Sequence, residues 1–190
     1  MGIPRRQRRS RPRTARDAGP LDDEAFDTLF RESLADVHGY AISLLGDRGA
    51  AEDVTALAFE RLYRARERLD TARGTPRAWL FAIARNAALD ELRRRRSRPQ
   101  AELAEELVVD PTLEAQLEGV ERRAHVREAL AALSEREREV VLLKFHGQLT
   151  NAELSRVLGI SESNAGTRLY RALSSLREGT LGGAAREEVA

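Results

Sequence analysis

The chain has 190 residues, no cysteine and three histidines, and its 32 basic and 31 acidic side chains leave a net charge of only +1. That length holds one ordinary domain or two small ones, and no stretch is apolar for long enough to cross a bilayer, so no membrane insertion is expected. Without cysteine there is no disulfide framework or thiolate metal site, and His38, His125 and His146 lack metal-ligand spacing, so neither a metal nor another cofactor is expected.

The opening residues, "MGIPRRQRRSRPRTARDAG", carry seven arginines with no apolar stretch behind them, which is not a secretory pattern and points to the cytoplasm. Residues 1–20 read as a disordered basic tail that adds non-specific affinity for DNA. Beyond it the charge alternates in sign. Residues 21–60 hold two basic and ten acidic side chains, 61–100 twelve and four, 101–139 five and eleven, and 140–190 six and five. Such blocks suit a chain that meets a protein with one surface and phosphates with another; the competing reading of the acidic blocks is that they are solvated helix faces.

Helical periodicity runs almost throughout and strand alternation is absent, so the fold class is all-α. Phe26, Leu29, Phe30, Leu34, Val37, Ala41 and Leu44 recur at three- and four-residue steps and predict an amphipathic helix over 25–45. It stops at "GDRG", where Gly46 suits the residue after the helix and Asp47 the N-cap of the next. That second helix carries Val54, Leu57, Ala58, Leu62, Ala65 and Leu69 on its buried side and Arg61, Arg64, Arg66 and Arg68 on the other. "LDTARGTP" reads as a loop. Thr75 is placed to cap and Pro76 to open a third helix, "PRAWLFAIARNAALDELRRRR", with Leu80, Ile83, Ala84, Ala87 and Trp79 facing inwards. Residues 21–97 therefore make a compact three-helix unit.

Residues 98–112, with two prolines and an acidic bias, read as a flexible linker. Leu113, Leu117, Val120, Ala124, Leu130 and Leu133 support a further helix that opens a second small domain over 113–179, with 180–190 as a C-terminal tail. "LSEREREVVLLKFHG" pairs Ser134 with Glu137 in a capping box and closes at Gly147; "LTNAELSRVLG" repeats the device with Thr150 and Glu153 and closes at Gly159. A longer helix follows from about Ser161. A short helix, a tight turn and a longer helix make a helix-turn-helix. At about 100° per residue, Ala165, Leu169, Ala172, Leu173 and Leu176 of the last helix fall on one side. Ser163, Asn164, Thr167, Arg171 and Ser174 fall opposite, with Arg168 on the flank. Short side chains near its start let the backbone approach base edges, while Asn and Arg make bidentate base contacts and Ser or Thr bind phosphate. A polar outer face on an ordinary packing unit is the alternative.

Three motifs, "GDRGAAEDV", "RAWLFAIARNAALDELRR" and "LSEREREVVLLKFHGQLTNAELSRVLGISESNAGTRLYRAL", stand in an order and spacing that identify a family. Over nearly all of residues 21–178 the chain resembles the extracytoplasmic-function (ECF) sigma factors of bacterial RNA polymerase. The resemblance implies an initiation factor with no catalysis of its own, acting in a regulated or stress response. Its first domain would bind the clamp of the largest subunit of core polymerase and open the minus-10 element; its second would read the duplex minus-35 element. The partners implied are core RNA polymerase, promoter DNA in duplex and single-stranded form, and an anti-sigma factor.

Carried over residue by residue, the resemblance puts minus-35 reading on Ser163, Asn164, Thr167, Arg168 and Arg171, and polymerase binding on Glu52, Asp53, Leu57 and Glu60. Glu52 and Asp53 also favour the positive end of the second helix, a sufficient structural reason for them. The chain departs from the family at Ala56 and Leu57, where Gln and Glu are common, and at Gly166, where Lys or Arg is. Gly166 either permits close backbone approach to DNA or is a tolerated weakness costing up to about 1 kcal/mol.

Strand opening needs a basic track for the backbone and a platform or pocket for unstacked bases. Candidates are Tyr63, Arg64, Arg68, Arg73, Arg77, Asn86, Asp90, Arg93 and Arg94; the resemblance puts a flipped-base pocket at "DTARG". Trp79 reads better as core, Asn86 and Asp90 as either a structural pair or base contacts, and "RRRR" as either phosphate-binding or a solvated helix end. A stand-alone helix-turn-helix regulator that binds duplex DNA as a dimer is the second reading. An enzyme finds no support, since no phosphate-binding glycine loop, carboxylate metal cluster or nucleophile-base pair is identifiable.

Overall fold

A computed structural model describes residues 21–70, 74–97 and 128–187, the side chains of 179–187 excepted. The basic tail, Arg73, the linker 98–112 and the positions of Leu113, Leu117, Val120 and Ala124 lie outside the described residues. Among those described there is no strand. The helices are α1 (Asp23–Leu45), α2 (Arg48–Ala65) running into a 3-10 turn (Arg66–Arg68), α3 (Pro76–Arg96), α4 (Glu135–Gly147), α5 (Asn151–Leu158) and α6 (Glu162–Glu187). A helical stretch at 128–132 precedes α4.

Each helix starts where a side chain can accept from an otherwise unpartnered N–H. Asp22 accepts from Ala25, Asp47 from Ala50 and Thr75 from Ala78, with Pro76 opening α3. Ser134 with Glu137 and Thr150 with Glu153 form both halves of a capping box, and Ser161 Oγ accepts from the N–H of Asn164. Each such cap contributes about 1 kcal/mol.

The ends differ more. Gly46 (φ 64°) and Gly159 (φ 67°) take the left-handed conformation that closes a helix, as expected. At the end of α4, however, Gln148 holds that conformation (φ 53°), and Gly147 remains helical. The glycine is there for size: a Cβ on Gly147 would stand 2.9 Å from Cγ of the buried Leu149. The last helix also runs past its expected end, through Gly179, Gly182 and Gly183 to Glu187, with no proline to stop it.

In the first half α1, α2 and α3 pack around Val37, Tyr40, Ala58, Leu62, Leu80, Phe81 and Ala84. In the second half Val140, Leu143, Leu149, Leu154, Ala165 and Ala172 do the same for α4, α5 and α6. These are not separate cores. They form one continuous apolar cluster, because α4 lies on α1 and α5 on α3.

Several side chains expected inside stand at the rim. Phe30 and Leu34 are 38% and 40% exposed, Phe30 resting edge-on against Phe59 with ring centroids 4.8 Å apart. Leu173 is 39% exposed, a correction to its inward assignment: α6 buries a narrow stripe of Ala165, Leu169 and Ala172 that leaves Leu173 outside it. Trp79 packs against the core, as expected, with its indole N–H buried and without a hydrogen-bond partner among the described residues.

Candidate nucleic-acid and polymerase interfaces

The turn between α5 and α6 is tight because Gly159 donates to the carbonyl of Arg156 and Ile160 to that of Ser155. From it α6 emerges with Ser163, Asn164, Thr167 and Arg171 exposed and Arg168 half-buried on the flank. The predicted face is thus assembled. Arg168 Nε donates to Asn164 Oδ1 at 3.1 Å, and Thr167 Oγ1 donates to the Ser163 carbonyl at 2.9 Å. Asn164 keeps its amide N–H donors and Thr167 its acceptor lone pairs, which are the groups that base edges and phosphates require. At Gly166 a Cβ would meet Nδ2 of Asn151, at the start of α5, at 3.6 Å, an ordinary contact.

A second feature is an open groove of about 400 Å³ between α2 and α3, lined by Asp53, Leu57, Arg61, Asp90, Arg94 and their neighbours. It brings two polymerase-binding candidates, Asp53 and Leu57, together with two strand-opening candidates, Asp90 and Arg94. Arg61 joins them; its place on the basic side of α2 was the only signal for it in the sequence. Asn86 stands exposed one turn before Asp90. Glu52 is tied to Arg48 at 3.0 Å and Glu60 to Arg64 at 2.7 Å, all at the surface.

The run at the end of α3 is not a row of unpaired cations. Arg93 pairs with Asp90, Arg94 with Glu91, Arg95 with Glu91 and Asp47, and Arg96 with Glu135. Arg95 also donates to the carbonyl of Leu45, so Asp47 and Arg95 tie the end of α1, the cap of α2 and the last turn of α3 together. Hydrogen bonds from Arg94 hold the Glu91 carboxyl below its ordinary range.

Other strand-opening candidates lie outside the groove lining, Tyr63 and Arg77 among them. Tyr63 packs edge-on to Phe26 (5.0 Å) beneath the Arg66 guanidinium (3.9 Å), on the α1 side of α2. Arg77 turns inward. It pairs with Asp36, donates to Ser33 Oγ at 2.9 Å, and donates to the carbonyls of His146 and Gly147 at 2.7 Å each. Those two carbonyls end α4, where no intrahelical donor reaches them and a cation is favoured, so in this arrangement Arg77 is not offered to nucleic acid. Arg68 is exposed.

Other contacts across the two halves have no mark in a single sequence. Arg85 makes a bidentate pair with Glu139, at 2.8 and 3.3 Å, and Thr75 donates to Glu153. Among the described residues no cluster of His, Cys, Asp or Glu could hold a metal ion, and no helix is long and apolar enough to cross a membrane.

Known proteins align with the chain in the same two parts. A family model for Sigma-70 region 2 matches residues 29–98, and one for Sigma-70, region 4 matches residues 123–176. The protein named ECF RNA polymerase sigma factor SigK of Mycobacterium tuberculosis is 32% identical over 161 residues, spanning 82% of this chain and 86% of its own. ECF RNA polymerase sigma factor SigL of the same species is 35% identical over 156 residues, spanning 78% and 85%. Among solved structures, the sigma factor RpoE in complex with the anti-sigma factor NepR, from Bartonella quintana, superposes with a TM-score of 0.60 at 19% identity, over 82% of this chain and 96% of that one. CnrH in complex with the cytosolic domain of CnrY gives 0.59 at 24%, over 83% and 88%. At these identities the two structures support the fold alone.

Proposed function

This chain belongs to the ECF RNA polymerase sigma factors, and from that membership we propose how its two halves divide promoter recognition. It binds core RNA polymerase and directs promoter-specific initiation. Residues 21–97 engage the polymerase clamp through the exposed face of α2, with Glu52, Asp53, Leu57 and Glu60. The same half opens the minus-10 element along the α2–α3 groove, where Asp90 and Arg94 are joined by Arg61, with Asn86 exposed one turn before Asp90. Residues 113–179 read the duplex minus-35 element through Ser163, Asn164, Thr167, Arg168 and Arg171.

The observation that carries this division is the α6 face. A short-chained, hydrogen-bonding surface follows a tight turn, on a helix whose opposite stripe is buried in the core. The chain performs no catalysis of its own and works in the cytoplasm, beside the polymerase. RpoE and CnrH were each solved with a second protein, named for RpoE as an anti-sigma factor. We infer that an anti-sigma factor likewise restrains this chain in a regulated response.

Transcription in vitro with core polymerase on genomic fragments tests the proposal. Start sites sharing upstream elements at minus-35 and minus-10 are the expected result. Failure of core polymerase to retain the chain in a pull-down would overturn it, and a footprint on duplex DNA without polymerase would support the stand-alone regulator instead.

A further inference from the structure

Where α1 and α2 meet, three large side chains stay at the surface: Phe30 (38% exposed), Leu34 (40%) and Tyr63 (41%). Ring contacts of Phe26 with Tyr63 and of Phe30 with Phe59 join them into one face. Carboxylates frame it. At about 100° per residue, Asp23 and Asp27 share a sector of about 60° on α1 with Phe30 and Leu34. On α2, Glu60 stands one turn before Tyr63, and Glu67 follows in the 3-10 turn. All four carboxylates are at exposed positions.

One arginine already uses this face. The Arg66 guanidinium lies 3.9 Å over the Tyr63 ring while its Nε donates to Asp23 at 3.1 Å. A ring beside a carboxylate holds a guanidinium by its flat face and its charge together, which neither an apolar chain nor a phosphate can exploit. The same ingredients recur along the face, and among the described residues no cation lies over Phe30. Asp27 and Glu60 reach only Arg31 and Arg64, one turn along their own helices, and such exposed pairs exchange partners at little cost.

The chain carries matching cations next to this face. Residues 5–16 hold seven arginines and no acidic side chain. They lead to Leu21, which is buried and whose N–H donates to the Arg66 carbonyl at 3.1 Å, at the Tyr63 end of the face. From that anchor back to Arg5 an extended chain spans about 50 Å. The 23 residues of α1 span about 34 Å, so the segment is long enough to run the length of the helix.

We propose that the arginine-rich segment 5–16 docks in cis on the acidic, aromatic face of α1 and α2, its guanidinium groups stacking on Phe30 and Tyr63 between Asp27, Glu60 and Glu67. The face shares Glu60 with the polymerase-binding surface proposed above, so the segment and core polymerase compete for it. That competition rests on the sigma-factor reading, whereas the docking does not.

The chain has no cysteine, so Ser10→Cys takes a single spin label in the middle of the segment. In the full-length labelled chain, nuclear resonance should show paramagnetic broadening of the Asp27, Phe30, Glu60 and Tyr63 amides. Asp27→Lys with Glu67→Lys should reduce that broadening several-fold. The same change of charge placed on α6, at the exposed Glu162 and Glu178, should leave it intact. Broadening absent from α1 and α2, spread evenly over both halves, or indifferent to the Asp27 and Glu67 reversals would overturn the docking. If the reversed chain loses helicity by circular dichroism, Arg8→Gln, Arg9→Gln and Arg11→Gln decide in its place, since they alter only the segment.

Without DNA present, that triple glutamine variant should bind core polymerase several-fold more tightly than the unsubstituted chain; unchanged or weaker binding would overturn the competition. The broadening is read without polymerase, so failure of the docking is distinguishable from failure of the sigma-factor reading.

Discussion

Arg168 donates from Nε to Oδ1 of Asn164 at 3.1 Å, one turn earlier on the exposed side of α6. The bond orients the guanidinium along the helix and leaves the Asn164 amide free to donate. Base discrimination by a good bidentate contact is worth about 1–3 kcal/mol. Arg168→Ala and Asn164→Ala should therefore each lower promoter-specific initiation by about tenfold or more. Retention by core polymerase should not change. The double variant should lose less than the two single losses added, because each side chain positions the other. Equal loss of initiation and core retention would assign Arg168 to folding or docking.

Gly166→Ala should stabilise the chain. The position is helical, and the added methyl meets Asn151 Nδ2 at an ordinary 3.6 Å. The expected gain is about 0.5–1 kcal/mol in urea unfolding. If minus-35 recognition falls while stability rises, the glycine serves close approach to DNA; if recognition holds, it is a tolerated weakness.

Gly147→Ala should do the reverse. Its methyl would stand 2.9 Å from Leu149 Cγ, and Leu149 is only 1% exposed and unable to step aside. A loss of about 1–3 kcal/mol is expected. At the neighbouring Gln148, whose φ of 53° favours glycine, Gln148→Gly should gain about 0.5–1 kcal/mol. Urea midpoints moving in opposite directions for these adjacent substitutions would establish which residue closes α4 and which merely fits.

The capping glutamates set an acid limit. Burial raises the Glu153 carboxyl, but hydrogen bonds from Thr75 and Thr150 outweigh that and hold it below its ordinary 4.5. Hydrogen bonds from Ser134, through its hydroxyl and backbone N–H, hold Glu137 down as well. Around those values the unfolded chain binds more protons than the folded one. Stability from these groups is thus fully present above pH 4.5 and lost as pH falls through the folded values. Thermal midpoints should be level with respect to these groups from about pH 7 to about pH 5 and decline below about pH 4.5. Glu137→Gln and Glu153→Gln should each make the decline shallower; a midpoint that rises on acidification would contradict the assignment.

Helix starts were readable because each depends on one side chain and a backbone N–H three residues away, as at Asp47, Thr75, Ser134 and Thr150. The α6 face was readable for the same reason, since angular position along one helix places Asn164, Thr167 and Arg171 without knowledge of anything else. What failed depends on remote partners. Arg77 looked like a loop-proximal cation for DNA; only the closeness of α1 and α4 makes it an internal tie. Arg85 and Glu139 lie 54 residues apart and look like ordinary surface charges until α4 lies against the first half. Gly147 shows that a glycine after an apolar run need not be the one that turns the chain; the demand for space at Leu149 is invisible before packing.

On the proposed reading, the arginines that close α3 come to DNA with carboxylates already beside them. Each of residues 93–96 has a carboxylate partner within the chain. Meeting a phosphate is therefore an exchange of one anion for another rather than the addition of a new pair. The carboxylates set aside in that exchange remain nearby and must gather cations of their own from solution. Counterions freed from the DNA are thereby partly recaptured by the protein, so binding should depend on salt less steeply than four arginines would suggest.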